Sequence, residues 1–130
     1  MTLHIATIAQ DGWTLESGEK RHAQDPDTFE IPSRVKRESL SRGDAVQLLF
    51  DIETGDTDQV DRGVDRMWVI VKERADGLYI GVLDSDPGIA EGLTLRPGTE
   101  VLFGPEHVID IDRPPDNYLL EKFGPSFLDK

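Results

Sequence analysis

Six residues in the second half of the chain carry the side chains best suited to chemistry or recognition: Arg66, Trp68, Tyr79, Asp84, Asp86 and His107. In an extended strand Arg66 and Trp68 project to one face and Met67 to the other. Tyr79 can lie across a hairpin from them. Large rigid rings beside an arginine make good recognition chemistry, because they bring contact area at low entropy cost. The plainer reading is that Trp68 and Tyr79 fill one face of a core. Asp84-x-Asp86-Pro87 places two carboxylates two residues apart, suited to acid–base work, to a cation, or to capping backbone N–H groups at a turn. A calcium loop does not fit, because the sixth position is Ile89 and the twelfth Leu95. His107 has no histidine or cysteine at metal-ligand spacing, and His4 and His22 do not supply one. As a general base it would need a facing nucleophile. The chain has no cysteine and no Gly-x-Ser-x-Gly. Gly-rich phosphate loops are missing too. These residues therefore predict no catalytic set, no metal site and no cofactor; the six are candidates for binding.

The elements that must position them read as mainly β. Val46, Leu48, Phe50 and Ile52 alternate along Asp44–Glu53, which predicts a half-buried strand. Arg66–Arg74 reads as a second strand and Leu78–Leu83 as its return. Asp76-Gly77 turns between them, since both residues tolerate positive φ. Apolar residues on both faces of this hairpin place it in the middle of a curved sheet covered on both sides. Pro97-Gly98 fits a type II turn. Glu100–Phe103 and His107–Ile111 are short strands broken at Gly104-Pro105. Ser33 caps a short helix over Arg34–Leu40, and Asp116 caps a helix through Lys122, after which Phe123, Phe127 and Leu128 dock the tail. Glu16–Asp27 and Thr54–Val64 are polar, carry glycine, and read as the most mobile loops. Asp84–Leu95 reads as a connection. The expected organisation is an N-terminal strand and loop arm over 1–27 and one domain over 28–130.

Composition bounds the function. The 130 residues suffice for one small domain with one core. No apolar run approaches the length of a membrane helix, and Met1–Asp11 lacks the pattern of a signal peptide. A cytoplasmic location is the expectation. The formal net charge is −12, with 14 Lys and Arg against 26 Asp and Glu. Two stretches hold nearly all the excess: Asp44–Asp65, with seven acids and one base, and Glu100–Glu121, with six acids and one base. No basic footprint exists to neutralise phosphates, so neither nucleic acid nor an anionic membrane is an expected partner. Asp51, Asp56, Asp58 and Asp61 are candidates for an acidic face that would steer a basic protein partner. Acidic loops also keep a small protein soluble with no partner at all.

From Thr28 to Ile111 the chain resembles a group of uncharacterised bacterial domains. The resemblance rests on Phe29-Glu30-Ile31-Pro32-Ser33-Arg34, Gly43-Asp44 before a strand, and Arg66-Met67-Trp68-Val69. It continues through Gly81-Val82-Leu83-Asp84-Ser85-Asp86-Pro87 and Phe103-Gly104-Pro105-Glu106-His107-Val108-Ile109. The order of segments is similar to the domain-of-unknown-function group numbered 2314, the YegJ-like proteins, some of whose relatives are classed with bacterial immunity proteins. The resemblance implies a small SH3-like β-barrel or half-barrel, here with a short helix before it and a C-terminal helix. It implies no activity. Ser85 stands where relatives often have Asn, which changes how the turn before Pro87 is capped.

Two functions follow as expectations. One is a non-enzymatic interaction module, in its sharpest form an immunity-type protein whose acidic surface binds a basic partner. The other is a small-ligand or enzymatic domain with a pocket near Trp68, Tyr79, Asp84 and His107. Homodimerisation through a sheet edge is a third possibility.

Overall fold

The computed structural model describes residues 4–55, 60–85 and 95–129, without the side chains at 54–55 and 60–61. Strand β1 is Trp13–Leu15, β2 Ala45–Gly55, β3 Val60–Ala75, β4 Leu78–Leu83, β5 Glu100–Phe103 and β6 Val108–Asp112. Helices α1 (Ile8–Asp11), α2 (Gly18–Gln24) and α3 (Arg34–Arg37) precede β2, and α4 (Asp116–Phe123) follows β6. All pairings are antiparallel, in the order β1-β2-β3-β4-β5. The sheet then curls into a half-barrel. From β5 the chain makes a 3-10 turn at Pro105–His107, and β6 returns to pair with β2. β1 and β6 thus share one edge of β2, against residues 50–52 and 45–48 respectively.

Alternation along β2 decides what the curl encloses. Val46, Leu48, Phe50 and Ile52 face inward with Met67, Val69 and Val71 of β3, and with Tyr79, Val101, Phe103 and Val108. Trp13 joins this core, its ring 5.5 Å from Phe50. The other face is covered locally. Ala45 and Ile70 pack under Leu119 of α4 and Phe127 of the tail, with half-buried Trp68 beside them. The hairpin is therefore covered on both faces, as its apolar pattern predicts.

A bulge sets the register of that hairpin. Asp76 and Gly77 hold φ of 53° and 79° at its tip, and the register runs Arg74↔Tyr79, Glu73↔Ile80. It then jumps to Val71↔Gly81, leaving Lys72 as the extra residue. A methyl built on Gly81 would collide with Val69 Cγ1, so only glycine lets the strands close beside the bulge.

Two predicted loops are structured. Glu16–Asp27 contains α2, capped by the Ser17 side chain on the Lys20 amide at 3.1 Å. Gly18 of α2 is buried against Ile109 and the 105–107 turn. β1 pairs with β2, so Trp13–Leu15 belongs to the same sheet as the rest. Within Thr54–Val64, residues 54–55 and 60–64 extend the β2–β3 ladder, with Gly55 opposite Val60. Two boundaries also move. α3 ends at Arg37, and α4 takes Pro115 as its cap with Asp116 as first residue. The connection over 86–94 lies outside the described residues, and so does Asp86.

Candidate functional site

The described surface carries an open groove of about 760 Å³ along β6, α3 and the 30–32 segment. Its floor is apolar, from Ile31, Pro32, Leu40 and Ile111. Pro32 and the Ser33 cap hold the 30–33 segment out of helix, which turns Ile31 toward the groove instead of winding it into α3. The rim carries Glu30, Asp44 and Asp110 against Lys36 and Arg66. Asp44 is held by Arg113 at 3.2 Å and by the Ser41 amide. Arg66 lies over the Phe29 ring at 5.3 Å. Among the described residues no ion pair reaches Glu30, Asp110 or the neighbouring exposed Asp112. This is an arrangement for contact: an apolar centre that a partner can cover, with the Glu30 and Asp110 carboxylates and the Lys36 and Arg66 cations at its edge.

The six candidate residues divide among separate places. Arg66 lines the groove. Tyr79 is fully buried in the inner core, stacked on Phe103 at 5.4 Å, its hydroxyl donating to the Arg37 carbonyl and accepting from the Leu40 amide. Trp68 is on the opposite face of the sheet, under α4. The bulge at Lys72 is the reason. A plain two-residue hairpin at Asp76-Gly77 would put Tyr79 and Trp68 on the same face, and one inserted residue reverses that.

Asp84 does lie beside Trp68: its amide donates to the Trp68 carbonyl, and Ser85 Oγ accepts from the Trp68 amide at 2.9 Å. Its carboxylate faces α4. Oδ2 accepts from the Tyr118 hydroxyl at 2.6 Å, and Oδ1, closed off from water, meets the Lys122 ammonium. The bonds from Asp84 and then Tyr118 hold the Lys122 ammonium above the usual lysine range. Tyr118 and Lys122, one helical turn apart, are residues the sequence reading missed; their spacing was the available signal.

His107 sits at the end of the 3-10 turn beside α2, and its Nδ1 accepts from the Gly104 amide at 2.9 Å. Burial pushes its pKa below that of a free histidine, against a smaller opposing pull from Glu106 and Glu19. Next to it is Arg37, also missed. Its buried guanidinium donates to Glu19 at 2.6 Å and to the Pro32 and Pro105 carbonyls, both at 2.9 Å. Arg37 holds the Glu19 carboxylate below its ordinary pKa.

Of the acidic-face candidates, Asp51 is half-buried and forms a two-point pair with Arg62, at 3.1 and 3.0 Å. Asp56 and Asp58 lie outside the described residues, and Asp61 is described in its backbone alone, opposite Thr54. Among the described residues no cluster of three His, Asp or Glu is placed to hold a metal, and no helix is long and apolar enough to cross a membrane. No family model, curated protein or solved structure matches the chain.

Proposed function

We propose that this chain is a non-enzymatic interaction module, of the immunity type in its sharpest form, that docks a basic protein partner on the groove beside β6. The observation that carries the reading is the groove's apolar floor, Ile31, Leu40 and Ile111, edged by Glu30 and Asp110 with no cation paired to either. Apolar area supplies affinity and unpaired rim charge supplies steering. The net charge of −12 adds a long-range attraction for a basic surface. The alternative, a pocket at Trp68, Tyr79, Asp84 and His107, needs those side chains to converge, and they stand on two faces of the sheet and at its 3-10 turn. The half-barrel itself we assign as SH3-like and akin to the YegJ-like group. Support comes from five consecutive strands, β2 to β6, with a 3-10 turn before the last strand closes on the first. The reading puts the module in the cytoplasm, which fractionation of the tagged chain tests.

The test of docking is kinetic. A partner is captured from the native host, and its association with wild type and with Glu30→Gln/Asp110→Asn is followed at rising salt. The expected result is slower association of the variant, with the difference shrinking as salt screens it. Ile31→Asp should chiefly speed dissociation. An on-rate indifferent to salt and to the rim substitutions, with Ile31→Asp silent, would reject the groove as the docking site.

A further inference from the structure

A second groove, of about 850 Å³, opens on the other side of the α3–β2 connection. In a chain with 14 bases, four of them line it: Arg42, Lys72, Arg74 and Arg113. Two are neutralised. Lys72 pairs with Glu100 at 2.8 Å and Arg113 with Asp44 at 3.2 Å. Arg42 and Arg74 have no carboxylate partner among the described residues. They are fixed instead by backbone carbonyls. Arg42 donates through Nε to Phe127 and through Nη1 to Lys72 at 2.9 Å, and Arg74 donates to Glu38 at 3.0 Å. Each also lies over an aromatic ring, Arg42 at 4.6 Å from Phe127 and Arg74 at 5.3 Å from Tyr79. A neutral carbonyl fixes a guanidinium without cancelling its charge, and a guanidinium has donors to spare beyond those used here.

The bulge builds this groove. Val71, Lys72, Glu73 and Arg74 all line it, although a regular strand sends alternate residues to opposite faces. The extra residue, Lys72, breaks the alternation and offers its carbonyl to Arg42. The 41–44 segment docks alongside, with Gly43 donating to Val71 at 2.9 Å and Val71 donating back to Asp44 at 2.8 Å.

We propose that this groove binds a small organic carboxylate, its head group held by Arg42 and Arg74. The site is of the size that takes organic ligands rather than single ions. Leu40 and Leu128 give apolar surface beside the arginines. Glu73, Asp116 and Asp129 also line the groove. Asp116 lies 3.9 Å from Arg113, which leaves Glu73 and Asp129 to balance Arg42 and Arg74. A singly charged head group is then repelled less than a doubly charged one, which favours a carboxylate over a phosphate.

The test is a titration of the full chain with benzoate, followed by NMR on the arginine Nε–H signals, with acetate and inorganic phosphate as separate arms. Benzoate should shift Arg42 and Arg74 saturably and bind more tightly than either other anion. Arg74→Gln should weaken benzoate about tenfold, the factor one charge-assisted bond is worth. Arg74→Lys, keeping the charge without the planar fork, should fall between. Arg62→Gln, which removes the same charge elsewhere, should leave affinity unchanged. No saturable shift, tighter binding of phosphate than of benzoate, or equal losses in Arg62→Gln and Arg74→Gln would each overturn the proposal. Arg74 is exposed, so unfolding should not obscure the result, and the thermal midpoint of each variant checks it.

Discussion

Arg37 and His107 show what single residues contribute where distant segments meet. Arg37 joins α2, the 32–33 turn and the 3-10 turn through one buried guanidinium. Arg37→Met would leave two carbonyls and the part-exposed Glu19 carboxylate without their donor, and should cost about 1–3 kcal/mol in urea unfolding. Nothing in local sequence marks Arg37 as buried, because its partner Glu19 is 18 residues away. For His107 the pH dependence has a definite sign. Its folded pKa is depressed, so below the free value of about 6.5 the unfolded chain takes up a proton that the fold resists. Stability should be complete above that pH and fall as pH drops toward the folded value. Glu19, also depressed in the fold, should give a second loss below its own free value of 4.5, because the Arg37 pairing favours the ionised form. His107→Asn offers an oxygen near the Nδ1 position and cannot titrate. It should keep stability at pH 8 while flattening the upper step, as read from urea midpoints across pH. An unchanged upper step in this variant would assign that step to another group.

At the scale of elements, legibility followed burial. β2 and the β3–β4 hairpin could be read because alternation and the Asp76-Gly77 turn pointed the same way. α2 could not, because its one buried residue is a glycine and no apolar stripe marks its inner face. The outer end of the β2–β3 hairpin reads as a loop in the sequence because it is polar and carries no apolar alternation, although residues 54–55 and 60–64 continue the ladder. Within the candidate set a single residue decides which side chains meet: sequence patterns do not reveal the bulge at Lys72, which parts Trp68 from Tyr79. The contact of α4 with the sheet is the element most open to test. Leu119 is fully buried against Ala45 and Ile70, and Leu119→Ala should cost about 2–5 kcal/mol. At the helix's other contact, Lys122→Met leaves Asp84 Oδ1 closed off from water and unpaired, a loss of about 1–3 kcal/mol. Amide exchange in Trp68–Ile70 should quicken in both variants. Exchange unchanged there would mean that α4 rests on the sheet without stabilising it.

For the whole molecule, the open side of β6 bears on whether copies stay apart. Among the described residues β6 pairs with β2 alone, which leaves its other edge unpaired. An edge strand turns alternate amides away from its partner, and such amides template pairing with another chain. Here one such amide of β6, and the amide just past its end, are already occupied. Ile111 donates to Asp110 Oδ1 at 2.9 Å, and Arg113 donates to Asp112 Oδ1 at 2.8 Å. The two carboxylates thus act twice, as acceptors that occupy the edge and as like charges that repel a second edge. Asn separates these roles, since it keeps the acceptor and drops the charge. Asp110→Ala/Asp112→Ala should self-associate at concentrations where wild type does not, by sedimentation velocity. Asp110→Asn/Asp112→Asn should behave as wild type if occupied amides guard the edge. Should the Asn variant associate as readily as the Ala variant, charge alone holds the copies apart, and high salt should then bring wild type together as well.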